Sequence, residues 1–228
     1  MADPPERDAL AVVAALTAAG AGLRIGAVVG PEIGTLASAV LTPSLEWLMV
    51  RGERMFTAHV DRVGRIAADG LGMTGDEFAE HAGATPERLL FTVNALQAAT
   101  RTAWEAKLQA LGRVLRDGLS DDALLDEMPL VLAALDAIEA PHVRVLRTIR
   151  DERGRAVFAT DETTFVWSME ELAQHFPQLS SGIEPIVAAL YRHGCTVTTG
   201  SHWRVTNFGR ALLERIESST PIDRTDEQ

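Results

Sequence analysis

A repeated change of periodicity between residues 163 and 216 constrains the fold more than any other feature of this chain. Thr163–Trp167 is β-branched and aromatic, which is typical of a short strand. Two later runs of similar character, Thr196–Thr199 and His202–Thr206, have only Gly200 and Ser201 between them. That spacing predicts a two-residue hairpin. This part of the chain therefore cannot be a plain helical bundle.

Helical signals alternate with these strands. Ser168 followed three residues later by Glu171 predicts a capping box at a helix start, and Pro177 ends that helix. A second helix is predicted from Ile183 to His193, with Gly194 as its C-cap. The residues expected to point inward from it are Ile186, Leu190 and Tyr191. Thr206 should cap a last amphipathic helix, NFGRALLERIE.

The order helix, strand, helix, turn, helix, hairpin, helix over residues 138–217 resembles winged helix-turn-helix domains, and the ending VTNFGRALLERI fits their bacterial members. The resemblance implies that the helix after the turn reads the major groove and that the hairpin, the wing, touches the backbone. The side chains it designates for DNA or partner contact are Arg192, His193, His202, Arg204 and Arg210. The expected fold class is mainly α, a helical N-terminal domain followed by this α+β domain.

Charge argues against DNA as the main partner. The formal net charge is −11, and residues 151–228 contain seven arginines against twelve acids. The helix that would read bases, IEPIVAALYRHG, is mostly apolar and carries Glu184 near its start. Phosphate contacts supply most non-specific affinity for DNA. We therefore expect a protein partner, with a DNA-binding transcriptional regulator as the alternative.

The region 9–137 is rich in alanine and glycine and is predicted to be helical. Thr85 and Pro86 form a helix start. Two apolar stripes follow, the first at Leu89, Val93 and Leu96 and the second at Trp104, Leu108, Leu111 and Leu115. The second helix should stop at Asp117-Gly118, and a new cap at residues 120–122 should begin a helix over Leu124–Ala137 that Pro129 interrupts early.

Four glycines near the N-terminus fall at intervals of four residues: Gly22, Gly26, Gly30 and Gly34. Positions four apart share a helix face, and small residues allow another helix to approach closely. This ladder predicts helix packing in a core or a homo-oligomer, although Pro31 should break the helix. A membrane-active defence effector is the alternative. Residues 1–8 and the acidic tail 218–228 are expected to be disordered.

The stretch from Pro31 to Ile149 has a second resemblance. A Gly-Pro-Glu-Ile-Gly segment leads to an arginine-rich helix, then TRTAWEAKLQALGRVLRDGL, then LVLAALDAIEAPHVRVLRTI. This order is similar to the abortive-infection alpha group, helical bacterial proteins linked to phage defence. The resemblance implies a phage-response role and carries over no catalytic residue.

No catalytic signature is present in the sequence: it has no nucleophile elbow, phosphate-binding loop or dinucleotide fingerprint. Glu77 and His81 are four residues apart but are expected on a solvated helix face, and the single cysteine, Cys195, is expected to be structural. We therefore expect no enzyme activity, metal, cofactor or small-molecule substrate. The acidic N-terminus lacks the features of a secretory signal, so a cytoplasmic bacterial interaction protein is the expectation.

Overall fold

The computed structural model describes residues 43–151, 155–159 and 162–218. The glycine ladder from Gly22 to Gly34, the predicted disordered start and all but the first residue of the predicted tail lie outside the described residues.

The first part of the described chain is helical. Its helices are α1 (Pro43–Leu71), α2 (Gly75–Ala82), α3 (Pro86–Ala99), α4 (Glu105–Ser120), α5 (Asp122–Leu125), α6 (Met128–Ala137) and α7 (Ala140–Arg150).

Strands and helices alternate in the rest of it. The elements are β1 (Arg155–Ala159), β2 (Glu162–Ser168), α8 (Met169–His175), a 3₁₀ turn (Pro177–Leu179), α9 (Ile183–Arg192), β3 (Thr196–Thr199), β4 (His202–Val205) and α10 (Asn207–Glu217). The four strands form a sheet in the order β1-β2-β4-β3 with antiparallel pairing throughout. The expected combination of a mainly helical chain with a small antiparallel sheet is confirmed.

The chain divides into two compact units. The first, here the helical unit, consists of the described residues up to Ala103 together with Leu111–Pro129. The second, here the C-terminal unit, consists of Trp104–Ala110 and the described residues from Leu130 onward.

In the helical unit, the cap at the start of α3 is confirmed, because the Thr85 hydroxyl accepts a hydrogen bond from the Arg88 amide. The stripe predicted on that helix is wrong in part, since Leu89 is exposed and Val93 only half-buried. The buried residues of α3 are instead shifted along the helix: Phe91, Thr92, Ala95, Leu96, Ala98 and Ala99.

The predicted stop of α4 at Asp117-Gly118 is also wrong, because the helix continues to Ser120. Gly118 is inside the helix, where a β-carbon would collide with the Phe91 ring. The residue is a point of close packing rather than a terminator. Asp121 then caps the short helix α5 by accepting from the Ala123 amide. Pro129 falls at the start of the separate helix α6, where its missing N–H has no partner to lose.

The C-terminal unit is built around α7, which packs against α9, α10 and β4. Val143, Leu146 and Ile149 recur at helical spacing and are all buried. The Ser168–Glu171 capping box is present with both of its hydrogen bonds. The predicted hairpin is confirmed as well: Thr199 pairs with His202, and Gly200 has a φ of 63° in the turn between them.

Helix α10 begins at the predicted cap, where the Thr206 hydroxyl accepts from the Gly209 amide. The same hydroxyl donates to the Gly194 carbonyl at 2.6 Å. Gly209 faces the Cys195 backbone so closely that any side chain would collide with its carbonyl. The start of α10 is therefore fixed directly against the end of the α9 segment.

Candidate partner-binding surface

Helix α9 has one buried face and one exposed face. Its apolar residues Ile183, Ile186, Val187 and Leu190 are buried, as their helical spacing requires. The opposite face carries the exposed residues Glu184, Pro185, Ala188, Tyr191 and Arg192, here called the α9 face. It holds one acid, one base and three uncharged side chains.

Tyr191 departs from the sequence expectation. It was predicted to point inward, but 51% of it is exposed. Its ring meets the Trp203 ring edge-on, with centroids 5.6 Å apart and planes at 78°. Edge-to-face aromatic pairs are favourable beyond their buried area, so this contact holds Tyr191 at the surface.

Trp203 can contact α9 because side chains along β4 alternate between the two faces of the strand. Successive side chains of a strand point to opposite faces, so Trp203 and Val205 share one face of β4 and His202 and Arg204 share the other. Val205 is buried, which identifies its face as the inner one. Strand β4 is an inner strand of the sheet, since it pairs with β3 on one side and, through Trp203 and Trp167, with β2 on the other.

The five predicted contact residues are at the surface or near it, but the structure does not gather them into one patch by any contact among the described residues. Arg192 is exposed at the end of α9, and Arg204 is exposed on β4. His193 and His202 are half-buried, and the His202 ring lies 3.3 Å from the Ser201 hydroxyl. Arg210 is exposed on α10, 3.4 Å from the Asn207 side-chain oxygen. The hairpin meets α9 through Trp203 and Tyr191 rather than through these five residues.

A second polar cluster in the C-terminal unit, here called the Lys107 junction, is internal. Lys107, the only lysine in the chain, is fully buried. Its ammonium donates to the carbonyls of Asp136 and Ile138 at 3.0 and 2.9 Å and to Glu139 Oε1 at 2.6 Å. An ammonium has three protons, so this set saturates it. The group joins the start of α4 to the α6–α7 connection and has no proton left for a ligand.

His142 completes that junction. Its Nδ1 accepts a hydrogen bond from the Glu139 amide at 3.1 Å, which requires this nitrogen to be unprotonated. Burial lowers the pKa of His142, partly opposed by the Glu139 carboxylate and reinforced by Lys107 and His193. The ring is thus held in its neutral form as a helix-capping group.

Glu77, His81 and Cys195, the other side chains considered for catalysis or metal binding, make structural contacts or are buried. Glu77 accepts from Thr74 in a capping box, and His81 bonds to the Leu119 carbonyl at 2.8 Å. Burial raises the pKa of the Cys195 thiol to about 11, which keeps it protonated and unreactive at neutral pH. Within residues 43–151, 155–159 and 162–218, no three metal-ligating side chains cluster, and no helix there is long and apolar enough to cross a bilayer.

Comparison with known proteins gives no match. No protein-family model, no curated protein and no solved structure is significantly similar to the chain. Function is therefore inferred from the site itself.

The sequence does not predict the contact between Tyr191 and Trp203. Tyr191 follows Leu190 in an apolar run that favours a core position, and Trp203 stands in a strand whose sequence does not indicate its contact with α9. The helical period alone indicates the exposed position of Tyr191. Tyr191 is seven residues after Glu184 and three after Ala188, which places all three on the same side of a helix.

Proposed function

We propose that this chain is a non-enzymatic interaction protein whose C-terminal unit is a winged-helix module that contacts protein rather than nucleic acid. Helix α7, strand β2, helices α8 and α9, the β3–β4 hairpin and helix α10 follow one another in the order that such modules use. The pairing of β4 with β2 supports the same assignment, because it brings the wing beside the first strand of the module.

The composition of the α9 face carries the proposal. In a DNA-reading winged helix, the helix after the turn presents polar and basic side chains to the bases. Here the corresponding face presents Pro185, Ala188 and Tyr191, with Glu184 at the end where base contacts normally lie. Exposed aromatic side chains are enriched in protein interfaces, whereas an acid facing phosphates is repelled.

A DNA-binding regulator is the second candidate, and one observation favours it. Arg192 and Arg204 are exposed on the two elements that contact DNA in winged-helix domains, the helix after the turn and the wing, and Arg210 is exposed on α10. Three phosphate contacts would give a slope of about −2.7 when log affinity is plotted against log salt.

A titration of the full chain with mixed-sequence duplex DNA separates the two candidates. We expect no binding at low salt by fluorescence anisotropy. The opposite result would be binding whose log affinity falls with log salt at a slope of about −2.7 and that Arg204→Ala weakens. That result would overturn the protein-contact proposal in favour of the regulator.

The second part of the proposal is self-association. The helical N-terminal region, including the glycine ladder, is proposed to contribute a homo-oligomer contact. Light scattering after size exclusion should give a mass above that of one chain as the concentration rises. A strict monomer at the highest concentration reached would remove self-association from the account and leave the DNA titration unaffected.

A further inference from the structure

The α9 face is complementary to itself, and we propose that it binds the same face of a second copy of this chain. The inference rests on the proposed role of the C-terminal unit as a protein-contact module and names its partner.

The complementarity lies in the spacing about Ala188. Glu184 is four residues before it and Arg192 four residues after it, while Pro185 and Tyr191 are three residues to either side. At 1.5 Å rise per residue, Glu184 and Arg192 lie about 6 Å from the centre in opposite directions. The face therefore presents opposite charges and a proline–tyrosine pair symmetrically about a small residue.

A two-fold axis through Ala188 uses this symmetry. In a two-fold contact each pairing occurs twice, because the same patch is used by both copies. Antiparallel helices related by such an axis bring Glu184 of one copy level with Arg192 of the other, and the reverse pair forms at the opposite end. Pro185 of each copy then lies level with Tyr191 of the other.

The packing geometry allows this approach. Glu184, Ala188 and Arg192 form one ridge of residues spaced by four, and two ridges of that type run parallel in the commonest class of helix packing. Ala188 at the crossing point is exposed and carries only a methyl group, so the backbones can come close. Trp203 supports Tyr191 from behind, which presents a rigid ring to the second copy.

The charges on this face are available. Within the part of the chain that the structure describes, neither Glu184 nor Arg192 has a hydrogen-bond or ion-pair partner from its side chain. Other charges of the same unit are already paired, such as Arg150 with Glu217 at 2.6 Å. Exposed ion pairs add little affinity, so Glu184 and Arg192 would set the register while Tyr191 and Ala188 provide the contact. A face of one short helix is smaller than a standard interface, and the expected dissociation constant is on the order of micromolar or weaker.

Charge reversal tests the register by sedimentation equilibrium of the full chain. Glu184→Arg places two arginine pairs across the axis, and Arg192→Glu places two glutamate pairs there. Each single variant should weaken the dimer roughly tenfold or more. The double variant E184R/R192E restores both attractive pairs and should recover the dimer. An equimolar mixture of the two single variants should form heterodimers that neither forms alone.

Matched controls separate this effect from net charge. Glu214→Arg on α10 and Arg144→Glu on α7 change the same charges at exposed positions outside the α9 face. Both controls should leave the dissociation constant within about twofold of that of the unmodified chain.

A cross-link tests the axis directly. A residue on a two-fold axis meets its own counterpart, so Ala188→Cys should give a disulfide-linked dimer on mild oxidation, which requires α-carbons within about 6.8 Å. The control Ala211→Cys, an exposed alanine on α10, should not cross-link. Cys195 is buried and does not compete.

Three results would overturn the inference. They are a dimer that neither single reversal weakens, a double variant that fails to recover, and a chain that stays monomeric at every concentration. In the first two cases self-association would use another surface, and the proposed function would stand. In all three the DNA titration decides separately whether the module is a protein-contact unit.

Discussion

The Lys107 junction and the α9 face belong to the same unit but treat charge in opposite ways. At the junction, every proton of a buried ammonium has an acceptor within 3.0 Å. On the α9 face, Glu184 and Arg192 have no side-chain partner within the described residues. Burying an unpaired charge is costly, whereas an exposed one remains hydrated at little cost. Polar groups inside this unit therefore hold its elements together, whereas those on α9 are free to contact another molecule.

The largest test of this contrast is Lys107→Met, which keeps an unbranched side chain, one atom shorter, and removes the charged ammonium. The carbonyls of Asp136 and Ile138 would lose a buried donor, and Glu139 would lose its ion pair. The free energy of unfolding should fall by about 3 kcal/mol in a urea titration.

Its control is Arg192→Met, which should change the same quantity by less than about 0.5 kcal/mol. Equal losses for the two variants would mean that the junction is no more structural than the surface of α9.

A second interior contact, between Gly209 and the Cys195 backbone, should also lower the stability of the fold when it is disturbed. Gly209→Ala pushes a methyl group into the Cys195 carbonyl, and because backbone cannot easily move aside, stability should fall by about 2 kcal/mol. The matched change Gly64→Ala, in α1 with open space around it, should instead stabilise by up to about 1 kcal/mol through helix propensity. Thermal unfolding of both variants measures the difference. Stabilisation by both substitutions would show that α10 does not start against Cys195 as described.

Glu217→Gln should have a smaller effect. The Glu217 carboxylate accepts from Arg147 at 2.8 Å and from Arg150 at 2.6 Å, which ties α10 to α7. Burial pushes the pKa of Glu217 upward, but the hydrogen bonds and charges of Arg150 and Arg147 outweigh it and leave the pKa lowered. The ion pair therefore stabilises the fold at neutral pH and is lost as pH falls through the carboxyl range.

Because the group is partly exposed, the loss at pH 7 should be no more than about 1 kcal/mol and should shrink in high salt. Guanidinium cannot be used as the denaturant, since it is itself a salt; urea titrations at two salt concentrations give the comparison. A loss independent of salt would contradict an electrostatic role.

His142 gives the smallest expected change, a pH dependence. Its pKa is lowered by burial, so the folded state favours the neutral ring. The stabilisation it gives is complete above the ordinary histidine range and declines as pH falls through and below about 6.5. His142→Asn keeps an acceptor for the Glu139 amide and removes the titration. The difference in midpoint of unfolding between the two proteins should change between pH 8 and 5, in the direction that favours the variant at low pH.

The parts of the fold that could be predicted from sequence are those with local signals. The capping box at Ser168, the hairpin around Gly200 and the cap at Thr206 each depend on residues within four positions of one another, and all three are confirmed. The buried stripe of α7 is also readable from its period, which is a local property of the sequence.

What could not be predicted depends on distant neighbours. Gly118 looked like a helix stop because nothing nearby in the sequence shows that Phe91 packs against it. The ring contact of Tyr191 could not be predicted, because its partner, Trp203, is twelve positions away on another element. The burial of Lys107 depends on carbonyls about thirty residues later in the chain. The spacing of Glu184, Pro185, Tyr191 and Arg192 about Ala188 becomes informative only once the exposed face of α9 is known.

The most direct test of the account follows the indole N–H resonance of Trp203, which lies behind Tyr191, in the full chain by NMR. The resonance should shift as protein concentration rises and stay unchanged when duplex DNA is added at about 50 mM salt. In Glu184→Arg the concentration dependence should disappear. A Trp203 resonance that does not change with protein concentration but shifts when DNA is added would contradict the central claim that this face binds protein.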